Sequence, residues 1–213
     1  MILDGAIASK SGRIALIPPS ETDDAATAAL RAHPETRRYL RYLPQHVSVD
    51  DARTRRLSRA TDTTLVDFNI HARNAGKNGV DEFRTFVGTT GIFHVETEYG
   101  SWCEVGILIS PQYFRGGLAT DALYTVLVYV FEERKLHRAE FNTGADNPGM
   151  RGWLEKAGAT FEGTQRQKWL DPGVGYTDVC KYSILHEEWF ATVKGRLETK
   201  IERSLSFQSS DGV

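Results

Sequence analysis

Apolar positions along the 213-residue chain switch between two periods, and each switch marks an element boundary. Residues 13–18 (Arg-Ile-Ala-Leu-Ile-Pro) predict a short strand closed by Pro18-Pro19. Ser20 to Asp24 offer N-cap candidates for an alanine-rich helix over 25–32, which Pro34 is expected to end. Residues 34–44 read as an irregular basic and aromatic segment with Arg37, Arg38, Tyr39, Arg41 and Tyr42. A second helix starts after Ser48 and runs through Arg59, with Asp50 and Asp51 where the helix dipole favours them. Strand patterning then takes over at 65–71, 83–95 and 101–110, with a turn-rich loop at 74–81 and a hairpin turn at 98–100. After Gly116-Gly117 comes the strongest helical pattern, Leu118, Ala119, Ala122, Leu123, Val126, Leu127, Val130 and Phe131. A strand at 138–143 follows, then a helix opened by Asn147-Pro148 and closed by Gly158. Two strands at 159–170 and 176–184 flank Asp171-Pro-Gly-Val-Gly175, and a charged helix over 187–203 precedes a polar tail expected to be disordered. The order predicts an α+β domain around one central sheet.

Composition mainly excludes. With 26 Lys+Arg against 28 Asp+Glu the net charge is −2, which argues against a nucleic-acid-binding surface. The length suits one domain with a core that needs neither disulfides nor metals. There is no apolar run of membrane-spanning length and no signal-peptide pattern, so a cytoplasmic protein with no membrane partner is expected. Cys103 and Cys180 sit in apolar, strand-like contexts and are expected as small buried hydrophobes, with no metal site. His71 and His94 fall in strands and read as structural polar residues.

The chemically informative segment is Ile109-Ser-Pro-Gln-Tyr-Phe-Arg-Gly-Gly-Leu-Ala-Thr-Asp121. A strand ends, a glycine-containing turn follows, and a long helix starts at once. Helix starts expose unpaired N–H groups at the positive end of the dipole, which suits a phosphate. Glycines at 116 and 117 would let such a ligand approach the backbone closely. A plain strand-to-helix turn accounts for the same pattern. The dinucleotide-binding and P-loop glycine motifs are absent, as are a nearby nucleophile elbow and a zinc motif at His186-Glu187-Glu188.

The same segment resembles the acetyl-CoA-binding motif of the GNAT superfamily of N-acetyltransferases, more narrowly the RimJ/RimL-like branch. The family's Gly-x-Gly/Ala stands as Gly117-Leu118-Ala119, followed by Thr120-Asp121-Ala122-Leu123. Asn147-Pro-Gly-Met-Arg-Gly-Trp-Leu-Glu-Lys-Ala-Gly158 resembles the family's Asn-x-x-Ser…Glu-Lys-x-Gly helix, and Asp178 to Trp189 its closing strand and Glu-Trp. The resemblance covers roughly residues 13–190, leaving 191–213 as a helix end and flexible tail. It implies a mostly antiparallel twisted sheet, splayed to form an acetyl-CoA cleft, with helices on both faces. It implies that acetyl-CoA is the cosubstrate and that no metal is used. Its pyrophosphate would lie on the backbone of Phe114, Arg115, Gly116, Gly117, Leu118, Ala119 and Thr120. Its pantetheine arm would pair near Leu108 and Ile109, with Asn147 close by.

Glu104 then becomes the catalytic candidate. It lies upstream of Pro111 on the strand expected to line the cleft, where some relatives use a carboxylate as general base. An alkylammonium has a pKa of about 10, whereas attack on a thioester needs the neutral amine, so a carboxylate that accepts the proton is useful. A solvated strand residue or an ion-pair partner is the plainer reading of Glu104. Tyr42 and Trp102 are candidates for the acceptor pocket, and the 34–44 segment reads equally as its wall or as a solvated loop. Asn147 reads as an N-cap, a role compatible with contacting CoA, and Trp153 as core. Met150 and Leu154 stand where relatives carry proton donors, so no general acid can be named. The expected reaction is acetyl transfer to a primary amine of a small molecule or a peptide N-terminus, in a monomer or homodimer. The other reading is a CoA-binding module without turnover.

Overall fold

A computed structural model describes residues 5–74, 82–173 and 175–210. The loop expected at 74–81 therefore lies almost wholly outside the described residues, as does Val174 in the later turn. Eight strands form one sheet in the order β1-β2-β3-β4-β5-β6-β8-β7. They are β1 (Ile7–Ala8), β2 (Ile14–Ile17), β3 (Val66–Asn74), β4 (Glu82–Glu96), β5 (Trp102–Ile109), β6 (Arg138–Gly144), β7 (Thr160–Asp171) and β8 (Gly175–Leu185). All neighbours pair antiparallel except β5 and β6, which run parallel. This is the mostly antiparallel sheet with helices on both faces that the family resemblance implies, and it is the one central sheet that the patterning predicts. β1 is the strand that the patterning does not show, because two residues carry no period.

One face of the sheet packs on helix α4 (Leu118–Val128), in which every residue from Thr120 to Leu127 is buried. That helix is buried all round because it is covered twice, and the polar groups of its first turn are met by partners inside the protein. The sheet lies on one side, with Phe68 edge-on to Tyr129 at 5.7 Å between ring centres. The C-terminal helical run lies on the other, where Trp189 stacks on Phe131 at 5.5 Å. That run comprises α6 (His186–Glu188), a π turn (Trp189–Val193) and α7 (Lys194–Ser210). It extends seven residues past the expected end at Arg203, since buried Leu197 and Ile201 anchor it to the core.

The opposite face carries α1 (Asp24–Ala32), the short α2 (Pro34–Arg37) and α3 (Val49–Ala60). Pro34 does not simply end a helix. It is the first residue of α2, where a missing N–H is harmless, and His33 caps it by accepting the Glu35 N–H at 3.1 Å. Ser48 and Asp51 form a reciprocal capping box at the start of α3. Arg56 clamps Asp24 with two hydrogen bonds of 2.8 Å, tying α3 to α1. Beneath them, Asp23 accepts from Asn69 and His71, both at 2.8 Å, in a buried polar cluster. His71 is thus structural as expected, while His94 is exposed at a bulge with φ 53°. Both cysteines are buried free thiols.

Candidate active site

The parallel β5–β6 ladder lasts only three rungs, Trp102–Arg138, Cys103–Ala139 and Glu104–Glu140. Beyond it β5 follows β4 to Ile109 and β6 follows β8 to Gly144, so the sheet opens as a fork. The Gly106 carbonyl accepts from the Thr90 hydroxyl at 2.8 Å, and the Leu108 carbonyl lies against Gly88 on β4. By strand alternation, Val105, Ile107 and Ile109 turn their N–H and C=O groups into the fork. Of the two residues expected to pair with an extended ligand arm, Ile109 faces it and Leu108 turns its backbone to β4.

At the mouth of the fork, Pro111–Tyr113 makes one 3₁₀ turn and Gly117 caps α4. Arg115 and Gly117 have φ of 65° and 78° on either side of Gly116. Such alternation in the sign of φ gathers neighbouring N–H groups toward one anion. The N–H groups of Phe114, Gly116 and Thr120 bond to Pro111, Tyr113 and Gly117 carbonyls. Those of Arg115, Gly117, Leu118 and Ala119 have no acceptor among the described residues and are the available donors. Behind the turn, Arg13 donates to fully buried Asp121 at 2.8 Å, to the Gly116 carbonyl at 3.2 Å and to Ser204 at 3.2 Å. This corrects one expectation about Gly117. A Cβ there would meet Ser204 Oγ at 2.8 Å and Arg13 Nη2 at 3.2 Å, so it points into the protein behind the turn. Arg13 escapes sequence reasoning because its partner, Asp121, belongs to another element.

Across the fork, Asn147 caps α5 (Pro148–Ala157) by accepting the Met150 N–H at 3.1 Å, and Gly158 closes that helix with φ 95°. Trp153 is partly buried against the core and its indole N–H donates to Thr120 at 3.1 Å, which joins α5 to the first turn of α4. Leu154 is fully buried and Met150 packs on the core, so neither position supplies a proton.

Strand alternation places Asp67, Gly91 and Gly106 in one row, and Phe93 and Glu104 in the next, on the face beneath α1–α3. Glu104 is half-buried at the last rung before the fork and takes no hydrogen bond or ion pair from the described residues. Tyr42 exposes 52% of its surface, with its ring edge-on to Trp169 at 5.2 Å. Its hydroxyl end is crowded, and burial, then the Glu104 charge, push its pKa up. It is therefore a proton-bearing donor at neutral pH. Trp102 lies two residues before Glu104 on the same side of β5, at the closed end of the fork.

The 34–44 segment is held in place. Arg41 pairs with Asp146 at 2.6 Å and Asp171 at 3.2 Å, and Arg37 donates to the Leu43 carbonyl at 3.1 Å. A cavity of about 480 Å³ separates this segment from Asp171-Pro172. Sequence reasoning also passed over Arg31, Arg55, Arg59 and Asp67, although α3 holds four arginines in 12 residues. No group of three or more His, Cys, Asp or Glu suited to a metal occurs among the described residues, and no described helix is long and apolar enough to cross a membrane.

Residues 13–160 match the family described as "Acetyltransferase (GNAT) domain". The chain is 33% identical over 86 residues to the uncharacterized N-acetyltransferase YnaD of Bacillus subtilis, covering 40% of this chain and 50% of that protein. It spans about half the length of the curated relatives it matches. Its fold resembles that of spermidine N-acetyltransferase from Vibrio cholerae, solved with CoA and spermine (TM-score 0.72, 18% identity, 84% and 98% of the two chains). It also resembles Mycobacterium smegmatis RimJ, solved with CoA-disulfide (TM-score 0.71, 21% identity, 92% and 93%).

Proposed function

Starting from the fact that this chain belongs to the GNAT acetyltransferase family, we propose that it transfers an acetyl group from acetyl-CoA to a primary amine by direct attack in a ternary complex, with Glu104 as the base. The observation that carries this reading is Glu104 itself, a carboxylate without a partner among the described residues at the base of the fork. Unpaired, half-buried carboxylates are unfavourable unless something arrives to use them.

The unit that does this is residues 13–190. The N–H groups of Arg115, Gly117, Leu118 and Ala119 hold the pyrophosphate, supported from behind by Arg13, and Ile107 and Ile109 align the pantetheine arm. Acetyl-CoA supplies the activated acyl carbon. Glu104, directly or through a water, takes the ammonium proton so that the amine lone pair is free to attack. The Tyr42 hydroxyl donates toward the same space, and Trp102 closes its lower end. As the new C–N bond forms the C–S bond breaks, and the thiolate takes up a proton from water. A thiol pKa of about 8.5 makes that departure tolerable without a dedicated acid, in keeping with the apolar Met150 and Leu154. The RimJ-like branch is the placement favoured within the family, supported by the Glu-Trp at 188–189 and by the likeness to RimJ.

Thiol release from acetyl-CoA with a panel of amines tests the reading, with calorimetry of acetyl-CoA binding alongside. Acceptor-dependent release supports it. Binding of acetyl-CoA without release under any amine would favour a non-catalytic CoA-binding module, the reading that Met150 and Leu154 keep open.

A further inference from the structure

A second charged feature adjoins Glu104 and is absent from the mechanism above. Arg31 stands in the last turn of α1, and Arg55 and Arg59 lie one turn apart on one side of α3. Arg55 and Arg59 both reach Asp67 on β3, and Arg31 stands within electrostatic range of them. Arg59 engages both oxygens of Asp67, and its guanidinium lies 5.0 Å over the Phe93 ring. Arg55 reaches Asp67 only at 3.7 Å, too long for a hydrogen bond, and Arg31 has no hydrogen bond or ion pair among the described residues. Arg59 thus occupies Asp67 and leaves Arg55 and Arg31 without a hydrogen-bonded carboxylate among the described residues, in a region where Arg55, Arg59 and Asp67 expose only 34%, 22% and 18% of their side chains.

Arg31 and Arg55 line a cavity of about 370 Å³ together with Pro44, His46 and Val47. The acid on its wall, Asp51, turns its Oδ2 to the Ser48 N–H and hydroxyl at 2.9 and 2.7 Å and makes no ion pair with either arginine. Burial, then mutual repulsion among the guanidinium groups, lowers the pKa of Arg55 to about 10, and Arg31 is lowered from the same two causes. An anion entering the cavity relieves that repulsion. Tyr42 stands within electrostatic range of Glu104, Arg31 and Arg55 alike, and its neighbours Leu43 and Pro44 lead into the cavity wall at Pro44. Phe93, under Arg59, is the ladder partner of Glu104.

We propose that the acceptor is a small molecule with two poles, an anionic oxyacid group held by Arg31 and Arg55 and a primary amine presented to Glu104. This deepens the acetyl-transfer reading and rests on it. The planar guanidinium fork matches a carboxylate, phosphate or sulfonate oxygen pair. The cavity has the size of a small-molecule site, not of a peptide groove. The same charges repel a polycation, which sets this pocket apart from a site that takes spermine.

The test is acceptor-dependent thiol release with matched amines. One aminoalkyl chain ends in a carboxylate, phosphonate, sulfonate, neutral amide or alcohol, with spermidine and a neutral tripeptide alongside. The expected result is a kcat/KM advantage of about tenfold or more for the anionic members, as a charge-assisted contact gives. The ranking of the three anions identifies the oxyacid. Arg31→Gln and Arg55→Gln should each raise KM for the anionic acceptor about tenfold, with acetyl-CoA affinity unchanged and a clearly smaller effect on KM for the neutral amine. Arg31→Lys, which keeps the charge, should recover part of the loss. A preference for the neutral, polycationic or peptide acceptor, or an unchanged KM in both Gln variants, overturns this proposal while acetyl transfer stands. Acetyl-CoA binding with no release under any amine overturns both.

Discussion

Glu104 and Glu140 face each other across the last rung of the parallel β5–β6 ladder, and only Glu140 is neutralised. Arg138 and Lys181 each hold Glu140 at 2.8 Å, while no described residue pairs with Glu104. Two carboxylates on adjacent strands would repel each other if both were bare. The clamps on Glu140 offset that repulsion and leave Glu104 without a charged partner among the described residues.

Replacing Glu104 by Gln keeps the shape and removes the proton acceptor. We expect kcat to fall about 100-fold, in the range of general-base catalysis, with acetyl-CoA affinity unchanged by calorimetry. Full kcat in the variant would remove Glu104 from the mechanism.

Gly117→Val should weaken acetyl-CoA binding at least about tenfold, since the left-handed backbone and the contacts with Ser204 and Arg13 force the turn to move. Because the clash is inside the protein, the melting temperature should fall as well. A variant that binds acetyl-CoA normally would show that the ligand does not use this turn.

Asp121 is fully buried and takes hydrogen bonds from Arg13 and Ser11. Asp121→Ala strands the Arg13 guanidinium, and breaking a buried pair from one side costs about 3–5 kcal/mol. Denaturant unfolding measures it, and a loss under about 1 kcal/mol would contradict the anchoring role.

Acid sensitivity has an identifiable source in Glu162. A hydrogen bond from Arg138 at 2.6 Å, then one from Ser183 at 2.7 Å, lower its pKa from 4.5 to about 2. Its stabilising effect is therefore complete above pH 4.5 and disappears as pH falls toward 2. With the side chain 32% exposed, solvent screening leaves on the order of 1 kcal/mol. Wild type should lose that amount more than Glu162→Gln between those pH values, and parallel stability curves would refute it.

How much of this was legible in the chain depends on the range of the interaction. Periodicity located nearly every strand and helix, because burial of one face is written in neighbouring residues. The Asn147-Pro148 and Ser48–Asp51 caps were readable for the same reason, since donor and acceptor lie three residues apart. The expected irregular stretch after Pro34 turned out to begin with a helical turn, because His33 provides a cap by its ring nitrogen, a signal that cap preferences do not weight.

The sequence by itself determined an α+β domain of this family, the helix start that can receive a phosphate, and Glu104 as a candidate on the right strand. Only the tertiary structure decided that the β5–β6 ladder stops at Glu104, that Glu140 is clamped while Glu104 is not, and that Arg13 supports the Gly117 turn from behind. It alone brought Arg31 and Arg55 to one cavity and set Arg55 and Arg59 at Asp67. Local pattern records which face of an element is apolar, but a charge's partner is set by packing between elements far apart in the chain. The charge of the cavity proposed to take the acceptor is a property of that packing.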